Sequence, residues 1–139
     1  MYRVTRGNVD ININLPNGIY RFNSESGTGK TYLYHLLNIL YDAGCPVIGL
    51  TYRDIRDKKF DRLFESNQLD KLKAILFDRY DLYGREISTK YKDKLLAISN
   101  KCIILIDAKM SSYLGCADIC YAKIVKSKQI EVYGHGISV

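Results

Sequence analysis

The sequence predicts an α/β fold: a three-layer sandwich with a mostly parallel sheet, plus N-terminal and C-terminal β-hairpin elements. Three observations carry this. Short apolar runs at Pro46–Tyr52, Leu72–Phe77 and Cys102–Ile106 have the composition of strands buried on both faces. Segments of helical periodicity alternate with those runs, as in sheets covered by helices. Near each end, two strand-like stretches are separated by a turn signal. With 139 residues, 47% of them hydrophobic, the chain fits one domain, 1–139.

The elements follow in order. Val9-Asp10-Ile11-Asn12-Ile13-Asn14-Leu15 alternates strictly between apolar and polar, the pattern of a half-buried strand. Pro16-Asn17-Gly18 is a turn signal, and Gly18–Asn23 reads as the returning strand of a hairpin. After a glycine-containing loop, Leu33, Leu36, Leu37 and Leu40 form one stripe of a helix over Thr31–Ala43, which Gly44 and Pro46 end. Phe60, Leu63 and Phe64 mark a short charged helix. Ile87, Tyr91, Leu95 and Ile98 share one face of a helix over 85–99. Two of the apolar runs end on an acid, Asp78 and Asp107. Ile119–Val125 and Gln129–Tyr133 read as two strands joined by a Lys-Ser-Lys turn.

Charge and cysteine content narrow the function classes. Twenty-one Lys plus Arg against fifteen Asp plus Glu give a net charge of +6, which permits nucleic acid, an acidic protein or nucleotide phosphates as partner. In segment 53–73, Arg53, Arg56, Lys58, Lys59, Arg62, Lys71 and Lys73 are interleaved with Asp54, Asp57, Asp61, Glu65 and Asp70. Mixed signs at that spacing read as a solvated face with i,i+4 pairs, which weakens the nucleic-acid reading. Lys90, Lys92 and Lys94, and Lys123, Lys126 and Lys128, are the less balanced stretches. Cys45, Cys102, Cys116 and Cys120 read as reduced thiols, and Cys116 with Cys120 and His135 gives at most three zinc ligands. Two histidines, His35 and His135, assemble no hydrolase triad. The polar start Met1–Arg6 and the lack of a long apolar run lead to the expectation of a soluble, cytoplasmic chain without membrane insertion.

One motif is specific. Ser24-Glu25-Ser26-Gly27-Thr28-Gly29-Lys30-Thr31 follows a strand and opens a helix, the context of a phosphate-binding loop. Glycines there let successive backbone N–H groups turn inward toward phosphate oxygens, and the helix N-terminus adds positive potential. Lys30 is then expected on the β- and γ-phosphates and the Thr31 hydroxyl on Mg²⁺. Relative to G-x-x-x-x-G-K-[ST], the first glycine is Ser24. Ala74-Ile75-Leu76-Phe77-Asp78 supplies a Walker B pattern, with Asp78 holding the metal's water shell from a neighbouring strand.

On these residues the chain resembles a P-loop NTPase of the ASCE type, similar to a reduced ABC-type or AAA/RecA-like ATP-binding core. The resemblance runs over Val9–Thr31 and more loosely over Ala74–Asp107 and Ile119–Gly134. It implies ATP as ligand, with GTP left open, and Mg²⁺ as cofactor. In hydrolytic members a glutamate follows the Walker B acid; here that position is Arg79, whose guanidinium is no base at neutral pH. Asp81 is the nearest substitute, with Glu25 another, and neither has the expected placement. Forty-six residues between Thr31 and Asp78 leave no room for the ABC helical subdomain, and no L-S-G-G-Q signature is present. Asp107 stands where that family has its switch histidine.

The expectation is therefore a Mg²⁺-dependent ATP-binding protein with slow or partner-dependent hydrolysis, a nucleotide switch or assembly subunit. Its partners are the nucleotide and a further protein or a second copy of the chain. The alternative is a nucleic-acid or protein binding module with a vestigial P-loop. Arg53, Arg56, Arg79 and Arg85 are candidate arginine fingers, each weighed against a surface ion pair. Tyr20, Tyr32 and Tyr34 are candidates to stack on adenine, weighed against ordinary packing among twelve tyrosines.

Overall fold

The computed structural model describes residues 1–23, 29–108 and 118–134. In chain order they form β1 (Tyr2–Arg6), β2 (Val9–Asn14), β3 (Gly18–Phe22), α1 (Lys30–Asp42), β4 (Val47–Leu50), α2 (Tyr52–Arg56), α3 (Lys59–Glu65), β5 (Ala74–Phe77), α4 (Gly84–Ile98), β6 (Ile103–Ile106), β7 (Asp118–Lys126) and β8 (Gln129–Gly134). Two short 3₁₀ turns, Asn67–Lys71 and Tyr80–Leu82, flank β5. All strands belong to one mixed sheet of order β1-β2-β8-β7-β3-β6-β5-β4. Its pairings are parallel except for β1 with β2 and β7 with β8.

Strand alternation divides the core. Val47, Ala74, Leu76, Ile103 and Leu105 face the leucine stripe of α1, where Leu33, Leu36, Leu37 and Leu40 are buried as the periodicity predicts. Ile48, Leu50, Ile75, Phe77, Ile104 and Ile106 face the other way, against Ile55, Phe60, Phe64, Ile87, Leu95 and Ile98 of α2, α3 and α4. The central strands are thus sandwiched, which is why they read as unbroken apolar runs.

Two expectations are corrected. The strands before and after Pro16-Asn17-Gly18 do not form a hairpin: β2 pairs with β1 and β8, and β8 and β7 lie between it and β3. The N-terminal hairpin is β1–β2, turning at Gly7, whose φ is +60°. A turn signal specifies a reversal of direction, not the partner reached after it. The charged segment 53–73 does not pair at i,i+4 either. Its ion pairs among the described residues are Asp54–Lys59, Arg56–Asp57 and Asp70–Lys101: the i,i+4 partners Arg53/Asp57 and Asp54/Lys58 straddle the end of α2, and the charged i,i+4 pair inside α3, Asp61 and Glu65, is two acids. No described helix is long and apolar enough to cross a membrane.

Candidate functional site

The C-terminal ends of β3, β6, β5 and β4 meet the N-terminus of α1 on one edge of the sheet. Register places Arg21, Ile106, Phe77 and Leu50 in one row across these strands. The next row is therefore Phe22, Asp107, Asp78 and Thr51. The ladder continues past the assigned ends: Asp78 N–H donates to the Leu50 carbonyl (2.8 Å) and Asp107 N–H to the Phe77 carbonyl (2.9 Å). Both acids follow the alternation of Leu76 and Leu105, so their side chains lie on the α1 face.

That face brings Lys30 to Asp107. The Lys30 ammonium stands 3.5 Å from the Asp107 carboxylate and donates to the Asn23 carbonyl at 3.3 Å. Asp78 is only 7% exposed. Burial raises its carboxyl above the ordinary range, and the charge of Asp107 and a hydrogen bond to it push further the same way; Arg79 and His35 oppose the shift. Tyr83, itself buried, donates its hydroxyl to the Asp78 carbonyl at 2.6 Å and fixes the backbone there. The result is a close carboxyl pair with one ammonium beside it, next to a helix start. In α1 the first helical bond runs from Leu33 N–H to the Gly29 carbonyl, so the N–H groups of the first turn are not used inside the helix.

The predicted residues separate as follows. Gly29, Lys30 and Thr31 open α1, with Thr31 exposed in its first turn. Ser24, Glu25, Ser26, Gly27 and Thr28 lie outside the described residues, as do Cys116 and His135. Lys30 meets Asp107 rather than Asp78, which is not on the strand next to β3: β6 intervenes, and Asp107 is the acid on the neighbouring strand. Asp81 sits exposed on the 3₁₀ turn after β5, beside Leu82, Tyr83, Arg85 and Glu86 along a surface depression. Arg79 is exposed with φ +51°, a left-handed conformation uncommon for a side-chain-bearing residue. Cys45, Cys102 and Cys120 are free thiols.

Sequence reasoning missed Asn23, whose carbonyl holds Lys30 and whose buried side-chain oxygen has no hydrogen-bond partner among the described residues. Its only signal was its position between strand and loop. For Tyr20 and Tyr34, the ordinary packing weighed against adenine stacking is what the structure has. The Tyr20 hydroxyl donates to the Pro16 carbonyl (2.8 Å), and the Tyr34 ring packs beneath Gly49. No protein-family model matches the chain, and no curated protein is similar to it in sequence.

Proposed function

We propose that the chain binds a Mg²⁺–nucleoside triphosphate, ATP first, through a phosphate loop at 24–31, with slow or partner-dependent hydrolysis. It would then serve as a nucleotide-dependent switch or assembly subunit. The observation that carries this is the meeting of Lys30 with Asp107, itself paired with the buried Asp78, at the N-terminus of α1. In an α/β sheet, the carboxyl ends of parallel strands are where ligands bind.

The residues fit the metal and the phosphates. The Thr31 hydroxyl and the Asp78 carboxylate are hard oxygen donors suited to Mg²⁺. A buried acid held against a second acid is relieved by a cation, and the orphaned side-chain oxygen of Asn23 marks polar capacity at the same place. Bound there, the metal would neutralise phosphate charge. The chain's own part is to position: Lys30 exchanges Asp107 for phosphate oxygens, and the N–H groups of the first turn of α1, unused within the helix, receive the anion. With Arg79 after Asp78, nothing on that turn accepts a proton from water at the expected position, so turnover by the isolated chain stays slow.

The test is calorimetric titration of ATP and GTP, with and without Mg²⁺, into wild type, Lys30→Ala and Asp78→Asn. Micromolar binding is expected in wild type. Lys30→Ala should weaken it at least about tenfold, a loss of ~1.4 kcal/mol or more. Asp78→Asn should still bind but lose most of the Mg²⁺ dependence. Unchanged binding in Lys30→Ala, or none in folded wild type, overturns the proposal.

A further inference from the structure

A nucleotide held as proposed has a direction. Asp78 and Asp107 end β5 and β6, on one side of β3, whereas β7 and β8 lie on the other. Terminal phosphate and metal drawn toward the acids leave sugar and base to run toward β7.

The structure places a wall there. β7 pairs with β3 as far as Cys120 and continues to Lys126, so its last residues stand beyond the end of β3. In this overhang Ile124 packs on Gly29: a Cβ at that glycine would lie 2.8 Å from Ile124 Cγ1. Ile124 nevertheless remains 47% exposed, covering the glycine with one side and presenting the rest to solvent. The turn after it is tied to the helix, since Lys128 N–H donates to the Tyr32 hydroxyl at 2.8 Å. Between Ile124 and Lys126 the pairing shifts register, and such a bulge re-aims a strand beside a site. Of the three tyrosines the sequence offers as base-stacking candidates, Tyr32 is the one anchored at this wall.

We infer that Ile124 and Tyr32, held together by the β7–β8 hairpin, form the nucleobase subsite. The inference rests on the nucleotide reading above. An exposed branched aliphatic side chain over Gly29, with the half-buried Tyr32 tied to the turn that follows it, suits a flat heterocycle with apolar faces and gives nothing to a phosphate. The base therefore adds affinity here that is separate from the phosphate contacts of Lys30.

Mg²⁺-ATP and Mg²⁺-tripolyphosphate, the same chain of phosphates without a base, separate the two contributions. Both are titrated into wild type, Ile124→Ser and Tyr32→Phe, with the fold of each checked by circular dichroism. Tyr32→Phe removes a single oxygen and leaves the loop contact of Ile124 untouched. Wild type should bind ATP at least about tenfold more tightly than tripolyphosphate, and each variant should lose about fivefold in ATP affinity but under about twofold for tripolyphosphate. Equal losses for both ligands, unchanged ATP affinity in Ile124→Ser, or equal wild-type affinity for the two ligands overturns the subsite and leaves the phosphate site standing. Wild type that binds neither overturns the nucleotide reading itself.

Discussion

Gly49 sets the distance between α1 and the edge of the sheet. A Cβ there would lie 2.7 Å from the Tyr34 ring and 3.1 Å from the Tyr34 carbonyl oxygen. The ring can turn aside, but the carbonyl moves only with the helix. The same residue's N–H, on the last strand of the sheet, donates to the Asn38 side chain at 3.1 Å, so the close approach also satisfies an edge group. Gly49→Ala should destabilise the chain by about 1–3 kcal/mol in urea unfolding. A loss under about 0.5 kcal/mol would show that α1 shifts freely. Nothing in Pro46–Tyr52 announces this, because a glycine inside an apolar run has the same letter whether it meets solvent or a helix. Lys30, Thr31 and Asp78 are legible as candidates, since their spacing and context carry chemistry. Asn23 was not, because its role is made by a backbone carbonyl that any residue would supply.

At the level of elements, legibility followed burial. The helix stripe of α1 and the double-faced strands β4, β5 and β6 are recognisable because periodicity and burial coincide. β1 escaped notice because it is an edge strand with Val4 as its one buried residue. Its partner choice is supported by a fork: Arg3 donates through Nε (3.0 Å) and Nη2 (2.7 Å) to the two oxygens of Asp10 on β2. The Arg3 hydrogen bonds hold the Asp10 carboxyl below the ordinary carboxylate range against a partial desolvation that raises it. A depressed folded-state value adds stability that is present above the unfolded value and lost as pH falls through the folded one. In a carboxylate titration by nuclear magnetic resonance, Asp10 should have its midpoint below that of an ordinary aspartate. Arg3→Met should move the midpoint upward and flatten the acid-side dependence of stability. An unmoved midpoint would mean the fork opens in solution, as exposed pairs often do.

On the scale of the whole molecule, the site draws on the ends of four strands and one helix that are distant in sequence. A ligand bound there bridges the ends of β3, β6 and β5 with the start of α1, and no local segment can hold it once the sheet comes apart. Ligand binding should therefore couple to global unfolding. With Mg²⁺-ATP at a hundred times its Kd, linkage predicts about 2.7 kcal/mol of added stability. For a chain of 139 residues that corresponds to a Tm rise of about 9 °C. Differential scanning calorimetry of wild type and Lys30→Ala at one ligand concentration measures it, the variant being expected to show little of the rise. Native-state hydrogen exchange should place the added protection at the start of α1 and at the ends of β5 and β6. On the subsite inference, it should also reach the β7–β8 turn. An equal rise in Lys30→Ala would locate the nucleotide elsewhere, since the ammonium beside Asp107 and the Asn23 carbonyl is the phosphate partner on which the nucleotide reading rests.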